Sequence, residues 1–503
     1  MTYFKPTHAT KRFPGIRWKI RYGNYQGIQT FAINEAQKAL QAFTSYTIDI
    51  NKAIADQSIE EIADGDNLLI IGTPKENPLI NMLLEKTNTI LPEHKEAYYL
   101  NSQPAPWNSK QSIIMIAATT ATGVLYGVED FNTRILGADI LVDDPLQIKL
   151  PDIFPSFTYS ETPKITHRGI WTWGYAIYDY KCFLDNMARL RMNMLTIWND
   201  CPPINMPQVI DYAHNRGIKI VLGFPWGWGM DLDLTNKDDQ QKLKQYVINT
   251  YEKEYSNLQH DGVYFQTLTE TNKKLINSQP RAKVVCELVN DISKTLLEHN
   301  PSLDIQFGLH ATSIMEDFHH LESLDKRVSI TWEDAGVIPY AYDVLTTKGS
   351  PENNTGLNHL NTVEATINYS KKIASLRNGC NFSMVAKGFA KIRWGSEFEH
   401  HQSFILGERS ESFMKLRKDK EQASWQKKNG LWFANYEKAS RFYQEILSIN
   451  PDNMNVTALI EDGLFERKIE PCVALFANIL WNPNIEKNDL MIYTNSAYLN
   501  GCI

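Results

Sequence analysis

The sequence predicts an α/β protein in two parts, a small α/β domain followed by a (β/α)8 TIM barrel. Three observations lead there. The chain has 503 residues, more than one hydrophobic core normally organises. From His167 onward, eight apolar, β-branched runs alternate with helix-compatible spacers. The residues before the barrel have their own strand–turn–helix rhythm and are set off by a proline-studded stretch.

In the first domain (1–150), "NLLIIGTP" (67–74) reads as a buried strand entering a turn. "SIIMIAATTATGVLYGVEDF" (112–131) reads as a strand, a small-residue turn and a helix, with Gly123 and Gly127 allowing close backbone packing. Neither G-x-G-x-x-G nor G-K-[ST] is present, so this turn does not read as a phosphate cradle. "DDPLQIKLPDIFPSFTYSETPK" (143–164) reads as the linker.

The barrel (165–503) is expected to begin at "HRGIWTW" (167–173), followed by a helix over about 180–191 and "NMLTIWND" (193–200). Next come a helix near 205–216, "IKIVLGFPWGWG" (218–229), a helix near 238–257 and "DGVYFQTLTE" (261–270). "LDIQFGLH" (303–310), "RVSITWEDAG" (327–336), "FSMVAKGFAKIRW" (382–394) and "CVALFANILWNP" (472–483) complete eight strands. Near-continuous apolar runs with short connections suit parallel strands covered on both faces.

Composition narrows the function. Hydrophobic residues make up 43% and charged residues 22%, ordinary for a soluble globular protein. The net charge is -7 without a long basic run, which disfavours nucleic acid and anionic membrane as partners. Six cysteines lack C-x-x-C spacing, so neither a zinc ribbon nor a disulfide framework is expected. No metal or cofactor is expected either: the neighbouring pairs His319-His320 and His400-His401 diverge and lack an H-E-x-x-H context. "MTYFKPTHATKRFPG" lacks the apolar segment of a signal peptide. The location expected is cytoplasmic as written, or periplasmic or secreted if an export signal was trimmed. A homodimer is left open.

Active sites of this fold lie at the C-terminal ends of the strands. The predicted ends carry Trp171, Trp173, Trp198, Asp200, Trp226, Trp228, Glu270, His310, Trp332, Glu333, Asp334, Lys387, Arg393 and Trp481. An aromatic-walled bowl holding carboxylates suits an oligosaccharide or glycoside: flat rings stack on sugar, and two carboxyl groups serve as acid and as base or nucleophile. Trp226 and Trp228, set among glycines and a proline, read as a platform. Glu333 and Asp334 are adjacent, so in a strand only one faces the bowl; Asp334, at the strand end, is preferred as base. Asp200 reads equally as a sugar contact or as the start of a turn before Pro202 and Pro203. His310 reads as a hydrogen-bonding group or a structural histidine. Lys387 and Arg393, an even number of residues apart, would share a face; Arg393 would recognise a substrate carboxylate or form an ion pair.

At these motifs the chain resembles a known group. "GVLYGV" (123–128), the linker and "HRGIWTW" are similar to glycoside hydrolases that pair a small α/β domain with a catalytic barrel. These are the α-glucuronidases of family 67, the closer likeness over roughly 25–485, and the β-N-acetylhexosaminidases of family 20. "DGVYFQTLTETN" resembles the fourth strand that delivers the general acid, with Glu270 in that place. "LESLDKRVSITWEDAG" resembles the sixth strand, and "LFANILWNP" the eighth. The resemblance implies an exo-acting, inverting enzyme with Glu270 as acid and Asp334 or Glu333 as base. Thr269 stands where family 20 enzymes place the aspartate that orients an acetamido group, and Glu397 and Glu399 do not copy the second glutamate of the α-glucuronidases. A hexosaminidase-like, substrate-assisted hydrolase and a non-catalytic carbohydrate-binding barrel are the competing readings.

Overall fold

The computed structural model describes residues 16–137, 150, 153–199, 201–227, 230–267, 275–310, 314, 317–334, 363–389, 404–460, 465–466 and 468–500. Two compact units divide the chain, Met1–Thr162 and Pro163–Ile503.

The first unit is a six-stranded sheet: β1 (Trp18–Tyr22), β2 (Asp49–Lys52), β3 (Asn67–Gly72), β4 (Tyr98–Ala105), β5 (Asn108–Ala117) and β6 (Phe157–Glu161), in spatial order β2-β1-β3-β5-β4-β6. The first four in that order run parallel; β4 pairs antiparallel with both β5 and β6. Leu68, Leu69, Ile70 and Ile71 are fully buried, which is why that run carries no polar alternation. Asn77 starts the helix Pro78–Thr87 by accepting from Leu79 N at 3.1 Å, while its amide donates to Ile71 O at 2.9 Å. One side chain thus caps the helix and fixes it to the sheet. In the helix Ala121–Asp130, a Cβ at Gly127 would lie 2.8 Å from Ile116 Cγ2 and 3.1 Å from Tyr98 Cβ. Glycine there sets the distance between helix and sheet. The stretch expected to be wholly linker contributes β6, the edge strand of this sheet.

The second unit holds a closed barrel in which every neighbouring pair is parallel. Its strands are β7 (His167–Trp173), β8 (Met194–Trp198), β9 (Lys219–Gly223), β10 (Gly262–Phe265), β13 (Asp304–His310), β14 (Val328–Glu333), β15 (Phe382–Ala386) and β16 (Met454–Leu459). A two-residue antiparallel pair, β11 (Leu275–Ile276) and β12 (Gln279–Pro280), lies between β10 and the helix Arg281–His299.

Seven strands lie where expected, and the eighth does not. "CVALFANILWNP" is the helix Pro471–Trp481, with Cys472 through Trp481 all buried. A helix apolar on every side has the same hydropathy as a buried strand. The eighth strand is instead "MNVTAL", β16, which carries the polar residues Asn455 and Thr457. The barrel interior explains the polarity. Inside the ring Asn455 donates to Ser383 Oγ at 3.1 Å and meets His167 Nδ1 at 2.8 Å, while Gln306 and Ser329 donate to Asp304 at 2.7 and 3.3 Å. This polar floor is self-satisfied, so its burial is tolerated.

Candidate active site

Above the polar floor the barrel interior becomes aromatic. Trp171, Trp173, Met194, Trp198, Val221, Tyr264, Val385 and Leu459, from six of the eight strands, pack as one buried group. Trp171 stacks on Trp198 with ring centroids 6.2 Å apart, and Trp173 meets Trp171 edge-on at 5.1 Å. Tyr264 lies edge-on to Trp171 at 5.6 Å and to Trp198 at 5.8 Å. Gly223 makes room for this layer, since a Cβ there would lie 2.6 Å from the Trp198 ring. Trp171 Nε1 is buried and has no hydrogen-bond acceptor among the described residues. It is a donor suited to a ligand oxygen.

Glu333 ends β14 with its carboxylate among these groups. The Tyr264 hydroxyl and the Gln266 amide both donate to Oε1, and Lys387 Nζ lies 2.6 Å from Oε2. Strand geometry produces the cluster. Tyr264 and Gln266 are two residues apart and therefore share a face. They reach Glu333 across the intervening strand β13 because that strand has Gly308 beneath them: a Cβ there would meet the Tyr264 hydroxyl and lie 3.0 Å from Gln266 Cγ. A carboxylate held by an ammonium and two further donors is stabilised in its charged form.

Asp334 points elsewhere. It is fully buried, its Oδ2 accepts from Lys387 N at 3.0 Å, and its N–H donates to Val385 O at 3.1 Å. Its charge adds to burial in pushing the Tyr443 phenol, on the helix Glu411–Leu447, well above its ordinary value. Of the adjacent pair, Glu333 has the orientation towards the barrel mouth, and the preference for Asp334 as base is at odds with this geometry.

Other expected site residues separate in the same way. Trp171, Trp173 and Trp198 come together at the mouth. Trp332 faces the helix layer, edge-on to Tyr369 at 5.9 Å, as its parity opposite to Glu333 requires. Trp226 is fully buried and stacked on Phe265 with centroids 3.5 Å apart, so it packs outside the barrel rather than forming a platform. Trp481 is on a helix at the foot of the barrel, with the Arg168 and Arg191 guanidinium groups 5.1 and 4.4 Å from its ring. Lys387 follows the end of β15 and is an ion-pair partner of Glu333. His310 closes β13 in register with Glu333. The side chain of His310 and residues Asp200, Trp228, Glu270 and Arg393 lie outside the described residues. Gln266 went unnoticed in the sequence; its parity with Tyr264, two residues before it, is the signal that marks it.

Among the described residues no group of three or more His, Cys, Asp or Glu side chains could hold a metal ion, and no helix is long and apolar enough to cross a membrane. No protein-family profile and no curated protein matches the chain. Among solved structures it is similar to a β-N-acetylhexosaminidase from Bacteroides fragilis NCTC 9343, at 11% identity and a TM-score of 0.49, covering 95% of this chain and 89% of that one. The likeness to α-glucuronidases rests on the sequence motifs alone.

Proposed function

We propose that the chain is an exo-acting glycoside hydrolase whose substrate sugar enters the mouth of the barrel above Trp171, Trp173 and Trp198. The observation that carries this reading is Glu333, a charged carboxylate fixed by Lys387, Tyr264 and Gln266 directly beside that aromatic layer. Glu270, in the general acid's place by the resemblance of "DGVYFQTLTETN" to the strand that delivers it, supplies the acid. Its proton passes to the glycosidic oxygen as the bond to the anomeric carbon breaks. A water oxygen bonds to that carbon, and its proton passes to Glu333, which inverts the configuration. The role expected of Arg393, recognition of a substrate carboxylate, falls outside the described residues, so the proposal is for the reaction class, with the sugar decided by experiment.

The test is a panel of glucuronosyl and N-acetylhexosaminyl glycosides, with NMR of the first-formed anomer. Glu270→Gln and Glu333→Gln are each expected to lower kcat on a cleaved glycoside by about 10²–10⁴-fold. Full activity in both variants overturns the assignment. Sugar-dependent thermal stabilisation without turnover by the parent chain would identify a binding barrel instead. Cleavage confined to substrates bearing an acetamido group would replace the water-first step with neighbouring-group attack.

A further inference from the structure

Glu466 follows β16 at the C-terminal end of the barrel and takes no part in the proposed chemistry. It is only 7% exposed, and its Oε1 accepts from Tyr178 N at 2.7 Å. Tyr178 closes the turn that leaves β7 at Trp173 and passes through the short 3-10 segment Gly174–Ala176. A second clamp grips the other side of this turn: Arg409 N donates to Tyr178 O at 2.9 Å and Tyr180 N to Gly407 O at 3.1 Å. Behind Glu466, Asn186 donates to Phe465 O at 2.6 Å, and Phe183 packs edge-on to Phe465 at 5.1 Å. Glu466 Oε2 is buried without a partner among the described residues.

We propose that Glu466 is a positioning residue, which clamps the turn after β7 and thereby sets Trp173 against the Trp171–Trp198 layer beside Glu333. This rests on the glycoside hydrolase reading of the same mouth. Burial pushes the carboxyl up to about 7, against the opposing pull of the Tyr178, Asp179 and Glu466 backbone N–H groups. The clamp therefore changes charge in the neutral range. Among the described residues the charged group acting on it is Asp179 on the same turn; Glu408 and Arg409 lie on the bridged segment, and Lys468 pairs with Glu470 at 3.3 Å.

Two measurements test the role. Steady-state kinetics of Glu466→Gln from about pH 5.5 to 8.5 should show KM raised about tenfold, kcat within about threefold, and the change of KM near neutrality flattened. Without substrate, tryptophan fluorescence of the parent should inflect near pH 7, and the inflection should be lost in Glu466→Gln and reduced in Trp173→Phe. An inflection that persists in Glu466→Gln, or one unchanged in Trp173→Phe, overturns the proposal. So does a Glu466→Gln enzyme with the parent's KM profile. The comparison of parent with Trp173→Phe stands even if Glu466→Gln fails to fold. If no glycoside is cleaved, the functional reading fails alone and the fluorescence arm still decides the clamp.

Discussion

The pairing of Glu333 with Lys387 concentrates the cost of a mutation on the partner left behind. With Lys387 replaced by methionine, a carboxylate only 5% exposed loses its ammonium at 2.6 Å. Removal of one member of a buried pair costs about 3–5 kcal/mol, chiefly through the uncompensated charge that remains. Lys387→Met is expected to lower unfolding stability by that order in urea, and adding Glu333→Gln should restore part of it. Additive losses in this double-mutant cycle would show the contact to be unimportant. At this scale the sequence was partly legible. Adjacent residues in a strand must diverge, so Glu333 and Asp334 had to take different roles. Which one turned inward depended on where β14 ended and on Gly308 in the strand next to Tyr264, neither of which a local pattern contains. The tryptophans were harder for a related reason: Trp171, Trp226 and Trp332 have the same chemistry, and only strand parity and loop path separate a mouth from a helix layer.

Among the elements, β13 supports the site by having no side chain at Gly308. Gly308→Ala would place a Cβ against the Tyr264 hydroxyl and 3.0 Å from Gln266 Cγ, so both donors to Glu333 must shift. Overpacking of this kind costs about 1–3 kcal/mol, and here the displaced atoms are those that hold the carboxylate. The expected result is a lower Tm with a larger fall in kcat/KM on any cleaved glycoside than the loss of folded protein explains. An unchanged Tm and unchanged kinetics would sink the argument. The same scale shows why seven strands could be read and one could not. β8 and β9 are short, largely apolar runs ended by turn signals, whereas β16 alternates Asn455 and Thr457, facing the polar floor, with apolar residues. The helix Pro471–Trp481 took its place in the sequence reading because its core faces are apolar all round. Its proline at the first helical position was the distinguishing signal.

For the whole molecule, two buried groups oppose one another over the mildly acidic range. His260, at the foot of β10, is buried edge-on to Tyr251 at 5.9 Å and Tyr255 at 6.4 Å, and burial lowers its pKa to about 4. The unfolded chain takes up this proton near 6.5, so stability falls as pH drops from about 6.5 to about 4, by at most about 3 kcal/mol. Glu466 acts in the opposite direction. Its folded value of about 7 exceeds the ordinary 4.5, so stability falls as pH rises through that interval. His260→Phe is expected to remove the loss of denaturation midpoint as pH falls from about 6.5 to about 4 and to leave the opposing Glu466 effect in place. An unchanged loss over that interval would remove His260 from the account.

The barrel closes through β16 against β7, where Asn455 meets His167 across 288 residues of chain. On the ribosome, the strand that begins the ring must therefore wait for nearly all of it to be made. Until β16 emerges, β7 and β15 each present an unpaired parallel edge, the kind of surface that seeds association between nascent chains. A chain ending at Asn450 should scatter light and sediment on refolding, whereas the full chain stays dispersed. Monomeric recovery of the shortened chain would show that the open ring protects its own edges. Closure that waits for β16 lengthens the interval in which these edges stand open during synthesis.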